Sequence, residues 1–301
     1  MKKILFCILV FFAAGYFVVM ETEAGQDLFL DRLLSVMTQN QQTAPVDGLD
    51  VYICGASSPL STTGNAQSCV FIIAGDRSFI VDTGPGSPRV IRRLALPLNN
   101  LEAVLLTHFH GDHISALGDV NFNSWVAGRG KKLTVLGPEG VDRVVNGFNQ
   151  AYSLDSSYRT RHHGWDILPL EYSVMQSKTI EAGLVFEEDG LSIRAFRVDH
   201  SPIEPAVGYR FDYKGRSVAV SGDSIVTKDY REAVDGVDLL LADALSEVLV
   251  SKMSEAFSAN GNDRASKLIH DVLDYHASTT SLVEMAKQAK VRQLAFYHMV
   301  P

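Results

Sequence analysis

Short apolar runs, closed by glycine, proline or a polar residue, recur along the chain from Leu49 onward. They alternate with segments whose apolar positions fall every three or four residues. The runs read as strands because β-branched and aromatic residues fill them and turn-forming residues bound them. "LDVYICG", "SCVFIIAG", "SFIVDTG", "EAVLLTH" and "KLTVLGP" occupy the first half; "LSIRAFRVDH", "AVGYRFDY", "RSVAVSGDS", "VDLLLADAL" and "VRQLAFYHMVP" occupy the second. The periodic segments read as helices: a stretch from Asp27 to Gln41, then "SPRVIRRLAL", "PEGVDRVVNGFNQAY", "TKDYREAVDG", "DRASKLIHDVL" and "TSLVEMAKQAK". Pro138 and Glu139 are expected in the first turn of the third, where unpaired amides favour both. Strand and helix alternating in this way predicts an α/β fold. Several strands end in a residue able to hold a metal or a proton: His108, His200, Asp223, Asp243 and His298. Strand ends drawn from distant parts of the chain are well placed to build one shared site on a rigid scaffold.

The first residues break this pattern. "MKK", the apolar run "ILFCILVFFAAGYFVVM" and the polar exit "ETEAGQ", with small residues at Thr22 and Ala24, form a secretory signal pattern with cleavage expected after Ala24. The alternative is an uncleaved anchor, because the run approaches the roughly 18 to 20 residues that span a bilayer. Both place the folded part outside the cytoplasm, periplasmic or secreted, with membrane contact only through an uncleaved anchor. The expected organisation is a leader over 1–24, a helical extension over 25–48 and one large domain over 49–301. Loss of the leader removes Cys7. Cys54 and Cys69 then remain in two successive strands, either as a disulfide of an oxidising compartment or as two buried thiols.

Composition adds an exclusion. The net charge is −8, and "RGKK" at 129–132 is the one clear basic cluster, so a polyanion such as nucleic acid is disfavoured as the main partner.

The densest chemistry lies in "THFHGDH", where His108, His110, Asp112 and His113 crowd one turn that Gly111 allows to fold sharply. Neutral imidazole and carboxylate suit zinc, and a cation between them removes the cost of crowding. A two-metal site needs further donors, and His200 in "VDHSP", Asp223 in "SGDS" and His298 in "YHMVP" supply them.

With these stretches the chain resembles the metallo-β-lactamase superfamily, in the branch holding ribonuclease Z-like phosphodiesterases and zinc-dependent arylsulfatases. The matching elements, in order, are "VYICGASSPLS", "FIVDTGPGS", "THFHGDH", "VDHSPIEPAVGYR", "SGDS", "HASTT" and "YHMVP", and they cover nearly all of residues 50–301. The resemblance implies a four-layer αβ/βα sandwich, two mixed β-sheets flanked by helices. It implies two zinc ions, with manganese or iron(II) acceptable to the same donors. His108, His110 and His200 would hold one, Asp112, His113 and His298 the other, and Asp223 would bridge. Asp112, His276 and Asp243 are the expected catalytic residues. His276, in "YHASTT", matches the histidine that protonates the leaving group, and Asp243 stands where the branch usually has that histidine's glutamate partner. Asp82 matches a carboxylate supporting the metal loop, a role with a mechanism, since such partners orient ligating imidazoles.

Other histidines are less committed. His162 and His163, with Arg159 and Arg161, are either an anion-recognising rim or a solvated loop, and His270 is read as structural.

Two features narrow the reaction. Only 22 residues separate His200 from Asp223, leaving no room for the long tRNA-gripping arm that many bacterial ribonuclease Z enzymes insert there. The "VDHSP" motif also differs from the form found in glyoxalase II and many lactonases. The expectation is therefore an exported hydrolase that activates water between two metals to cleave a small anionic ester, a phosphodiester or an aryl sulfate. A homodimer is compatible with this reading. Three alternatives stand beside it: a lactonase or β-lactamase, a ribonuclease Z-type endonuclease, and a non-catalytic metal-binding protein.

Overall fold

In a computed structural model, residues 15–19, 21–38, 47–61 and 64–301 are described. Most of the expected leader lies outside them. The chain divides between Ala44 and Pro45 into two units. In the first, helix α1 spans Glu23–Thr38, covering most of the helix expected from Asp27. No helix among the described residues is long and apolar enough to cross a membrane.

The second unit holds two six-stranded mixed sheets. Sheet one runs in the order β1 (Leu49–Gly55), β2 (Cys69–Ala74), β3 (Arg77–Val81), β4 (Leu101–Leu105), β5 (Leu133–Gly137) and β6 (Met175–Thr179). The pairs β1/β2 and β2/β3 are antiparallel, whereas β3, β4, β5 and β6 are parallel. Sheet two runs β12 (Gln293–Val300), β11 (Leu239–Leu245), β10 (Arg216–Val220), β9 (Val207–Tyr213), β8 (Leu191–Arg197) and β7 (Gly183–Glu188). Here β12, β11 and β10 are parallel, and β9 reverses between β10 and β8. Strands β8, β10, β11 and β12 thus share one direction.

Side-chain alternation explains why the central strands read as unbroken apolar runs: both faces are buried. In β2, Val70, Ile72 and Ala74 enter the core between the sheets, while Cys69, Phe71 and Ile73 face a second core under the outer helices. Across the gap, Tyr209, Phe211, Val218, Val220 and Leu241 complete the inter-sheet core. Over sheet one, with the short α3 (Gly111–Ile114) in the turn after β4, lie α2 (Ser87–Arg93), α4 (Leu117–Val126) and α5 (Val141–His163); from these three, Ile91, Leu117, Val120, Val141 and Val145 reach inward. Over sheet two, α6 (Lys228–Ala233) and α9 (Thr279–Gln288) present Tyr230, Leu282 and Met285 to Ala219, Leu240 and Ala242. The four layers are those the resemblance implied.

The structure corrects one helix. The segment expected to begin at Pro138 begins at Val141, because Gly140 adopts φ 102 and breaks the helical path before it. From there α5 continues to His163. At about 1.5 Å per residue its length is about 34 Å. Since α5 begins where β5 ends, it carries exposed His162 and His163 well away from that strand end. Both lie in the last turn of α5 and not in a loop. Cys54 and Cys69, left open by the sequence, form a disulfide joining β1 to β2.

Candidate metal centre

Strand direction assembles the site. Because β3 and β4 are parallel, Asp82 just past β3 and the 107–113 turn just past β4 emerge at one edge of sheet one. In sheet two His200 follows β8 and Asp223 follows β10, while Asp243 and His298 lie near the ends of β11 and β12. Leu241 faces the inter-sheet core, so Asp243, two residues on, takes the same face at its open end. His298 reaches the site through an irregularity: the β11/β12 register skips between Asp243 and Ala244, and His298 there has φ 46. A bulge re-aims a side chain in this way. Asp82 is held with φ 57. Positive φ outside glycine is costly, so these strained positions are maintained by the packing around them.

The seven proposed ligands converge. One group of mutually close donor atoms comprises His108, His110, His200 and Asp223, and a second comprises Asp112, His113, Asp223 and His298; within each, the atoms lie within 4.8 Å of one another. Asp223 belongs to both, as a bridging carboxylate must. Its Oδ2 lies 3.2 Å from His113 Nε2, 3.8 Å from His108 Nε2 and 3.9 Å from His200 Nε2, and its Oδ1 lies 3.3 Å from His298 Nδ1. Asp112 accepts a hydrogen bond from His298 Nε2 at 2.9 Å. All but His110 are buried.

Three rings are fixed from behind. His113 Nδ1–H donates to Asp82 Oδ2 at 2.8 Å, His200 Nδ1–H donates to the Tyr275 carbonyl at 2.9 Å, and His108 Nδ1 lies 3.1 Å from Thr107 Oγ1. Each ring therefore turns Nε2 towards the cluster. Asp82 is itself held by the Thr107 amide and hydroxyl, each donating at 2.8 Å. The Thr107 and Tyr275 roles went unread in the sequence. Thr107 opens the quoted turn, but nothing in a sequence marks the Tyr275 carbonyl as an acceptor.

Electrostatics agree with a cation-binding arrangement. Burial, reinforced by His113, holds His108 well below the usual histidine range, in its neutral ligating form. Burial opposes charge on His298 too, but Asp223 and Asp112 overcome it and push its pKa up to about 10. Asp223 and Asp82 likewise overcome burial at His113 and raise it well above the ordinary value.

The donors also pass a direct test of fit. His108 Nε2, His113 Nε2, His298 Nδ1, Asp223 Oδ1 and Asp243 Oδ1 are buried without a hydrogen-bond partner. Leaving such a group unsatisfied costs about 1–3 kcal/mol. Four of them belong to proposed ligands, and their convergence on one spot fits a metal centre, where each would gain a bond; Asp243 Oδ1 lies beside them, 3.6 Å from His298 Nδ1.

Beside this cluster, His276 Nδ1 lies 2.9 Å from Asp243 Oδ2, and its ring stacks 5.6 Å from that of His298. The same Asp243 oxygen accepts the Ser224 amide at 3.0 Å. Burial lowers the pKa of His276, but the Asp243 carboxylate outweighs it and the net shift is upward. His270 is exposed on helix α8 (Asp263–Asp271) and belongs to none of these groups.

Comparison with known proteins places this arrangement. A profile described as the beta-lactamase superfamily domain matches residues 77–299. Ribonuclease Z of Mycobacterium bovis (strain BCG / Pasteur 1173P2) is 30% identical over 256 residues, covering 84% of this chain and 86% of its own. Ribonuclease Z of Mycolicibacterium gilvum (strain PYR-GCK) is also 30% identical, covering 84% and 85%. Among solved structures, the short form of human tRNase Z aligns with a TM-score of 0.60 at 17% identity over 83% of this chain and 92% of its own. The metallo-beta-lactamase fold protein YhfI from Bacillus subtilis aligns with a TM-score of 0.60 at 17% identity, covering 84% and 87%. With two sheets of the matching fold and buried His/Asp clusters at their shared edge, the chain belongs to the metallo-β-lactamase superfamily, in its ribonuclease Z-like branch, and is a metal-dependent hydrolase.

Proposed function

We propose that this hydrolase cleaves phosphodiester bonds, and that its substrate is an RNA of the kind the ribonuclease Z relatives are named for. The observation that carries the reading is the His276–Asp243 pair beside the metal cluster. An ordinary alcohol departs as a strongly basic alkoxide and needs a proton as the bond breaks. An aryl oxide does not need one to the same degree. A charged histidine held by a carboxylate therefore fits an alkyl phosphodiester better than the aryl sulfate expected from sequence, and the ribonuclease Z relatives support the same preference.

His108, His110 and His200 would hold one metal and Asp112, His113 and His298 the second, with Asp223 between them. Two metals held there would supply a lowered pKa for water and neutralisation of charge developing on a phosphoryl group. The chain's own residues supply the rest. Asp82 and Thr107 fix the 107–113 turn, and Asp243 orients His276 through Nδ1. His276 Nε2–H then gives its proton to the departing oxygen, a role that contributes typically 10²–10⁴-fold.

A small phosphodiester is the second reading, and two observations favour it. The 22 residues between His200 and Asp223 are largely taken up by the β9/β10 hairpin within sheet two, so no arm projects there. With a net charge of −8 the protein also offers little general attraction to a polyanion.

Export is part of the proposal. The signal-like first residues and the Cys54–Cys69 disulfide support an oxidising compartment, where such bonds persist.

The test is a substrate panel: a precursor tRNA with a 3′ extension, bis(p-nitrophenyl) phosphate, an aryl sulfate, a lactone and a β-lactam, with Asp112→Ala as control. Cleavage of the RNA by the native protein alone supports the first reading. Cleavage of the diester with the RNA left intact selects the second. Turnover confined to the sulfate, lactone or lactam overturns both.

A further inference from the structure

Tyr275 sits between the two halves of the proposed chemistry. Its ring meets that of His200, a proposed metal ligand, edge-on at 5.0 Å and 84°. It lies 4.8 Å from the ring of His276, the proposed acid, tilted by 50°. His200 and His276 are themselves 5.3 Å apart, so the three rings form one aromatic corner. Behind it, Tyr275 packs against the cluster of Leu245, Val250, Ile269 and Val272. The ring is partly exposed in spite of that packing. It is thus anchored on one side and open on another, directly beside the acid.

The position of His276 decides which part of a substrate meets this surface. A general acid works within hydrogen-bond reach of the oxygen it protonates. The departing oxygen must therefore lie at His276, and the group attached to it extends past the flanking residue. We propose that Tyr275 is a specificity-determining residue: a planar ring on the departing alcohol stacks on it, so that the site selects phosphodiesters whose leaving half carries a nucleobase or an aryl group. This rests on the phosphodiester reading above. Aromatic stacking tolerates any planar π-face, and its loss costs about 10- to 100-fold per base.

Methyl phosphodiesters whose second alcohol is benzyl alcohol, cyclohexylmethanol or a nucleoside test the idea, since benzyl and cyclohexylmethyl differ in planarity at similar size. The alcohol and monoester released identify the departing half, and ¹⁸O from labelled water appearing in the monoester confirms that the P–O bond breaks. The native protein is expected to favour the benzyl or nucleoside ester over the cyclohexylmethyl ester about 10-fold or more in kcat/KM. Tyr275→Phe keeps this ratio, and Tyr275→Leu brings it close to unity. A ratio preserved in Tyr275→Leu, or kcat/KM falling equally for all three esters, overturns the proposal, because a purely packing role predicts uniform loss. A preference for the nucleoside alone assigns the platform to nucleobases, and one shared by benzyl assigns it to planar rings generally.

The hydrogen bond that fixes His200 is to the Tyr275 backbone carbonyl, which every variant keeps, so metal content should match across the variants. Calorimetric binding of benzylphosphonate against methylphosphonate to the zinc-loaded protein supplies a readout independent of turnover. If no diester is hydrolysed while benzylphosphonate still binds more tightly in a Tyr275-dependent way, the phosphodiester reading fails and the ring platform stands. Equal binding of the two phosphonates overturns the platform.

Discussion

Asp243 reaches His276 although an aspartate stands where a glutamate was expected. One methylene less of reach matters at hydrogen-bond range. In the fold, Oδ2 lies 2.9 Å from Nδ1, so the shorter side chain suffices. In its proposed role as acid, His276 would work only while charged: the rate would be full below its pKa and lost as pH rises through it. Asp243 holds that pKa above the ordinary histidine value, so Asp243→Asn should move the alkaline fall in rate to lower pH. A pH–rate profile whose alkaline limb stays in place would refute the pairing's role. His276→Ala should cost about 10²–10⁴-fold on an alkyl diester and much less on a p-nitrophenyl ester, which departs without a proton. At Asp82, replacement by Asn keeps a residue that tolerates positive φ but weakens the support of His113. Metal affinity should fall about 10- to 100-fold in a chelator competition, with the fold intact by circular dichroism.

Among the elements, those buried on both faces were plain in the sequence and those at the margins were not. β1 matches its predicted span, β2, β5, β9, β11, β12 and α9 fall within a residue or two of theirs, and β8 and β10 end three and four residues before the expected runs do. β6 and β7 went unread because they are edge strands with largely exposed side chains, only Met175 of β6 and Val185 of β7 being buried, and so lack an apolar run. Helix α7 (Glu247–Ala259) was also missed; Val250 and Ser254 are its only buried residues. Where loops approach closely, the structure adds constraints no pattern announces. Gly222, in "SGDS", has φ 66, and a Cβ there would stand 2.8 Å from the Thr107 Cβ. Gly222→Ala should therefore destabilise the protein by about 1–3 kcal/mol and loosen the Thr107–Asp82 contact. Denaturant melts and metal content report the two effects, and a variant as stable as the native protein would contradict the close approach.

At the scale of the whole molecule, metal binding should be linked to protons. In protein stripped of metal, His113 and His298 carry protons at neutral pH because Asp112, Asp223 and Asp82 surround them. Ligation needs neutral rings, so loading should release protons and weaken as pH falls. Calorimetry in buffers of different ionisation enthalpy measures the release, and a buffer-independent heat would refute it.

The sequence by itself determined the donor types, the α/β class and the strand ends at which the donors stand, because burial pattern and turn chemistry are local properties; the two-sheet plan followed from the family resemblance. Only the tertiary structure decided the rest. Parallel strand directions bring Asp82, His108, His200, Asp223 and His298 to one edge from positions far apart in sequence. The same packing closes the Cys54–Cys69 bond, brings Asp243 within reach of His276 and places His162 and His163 in the last turn of α5. It also sets Tyr275 beside the acid. These depend on where chains meet in space, and a distance across two sheets has no signature in the order of residues.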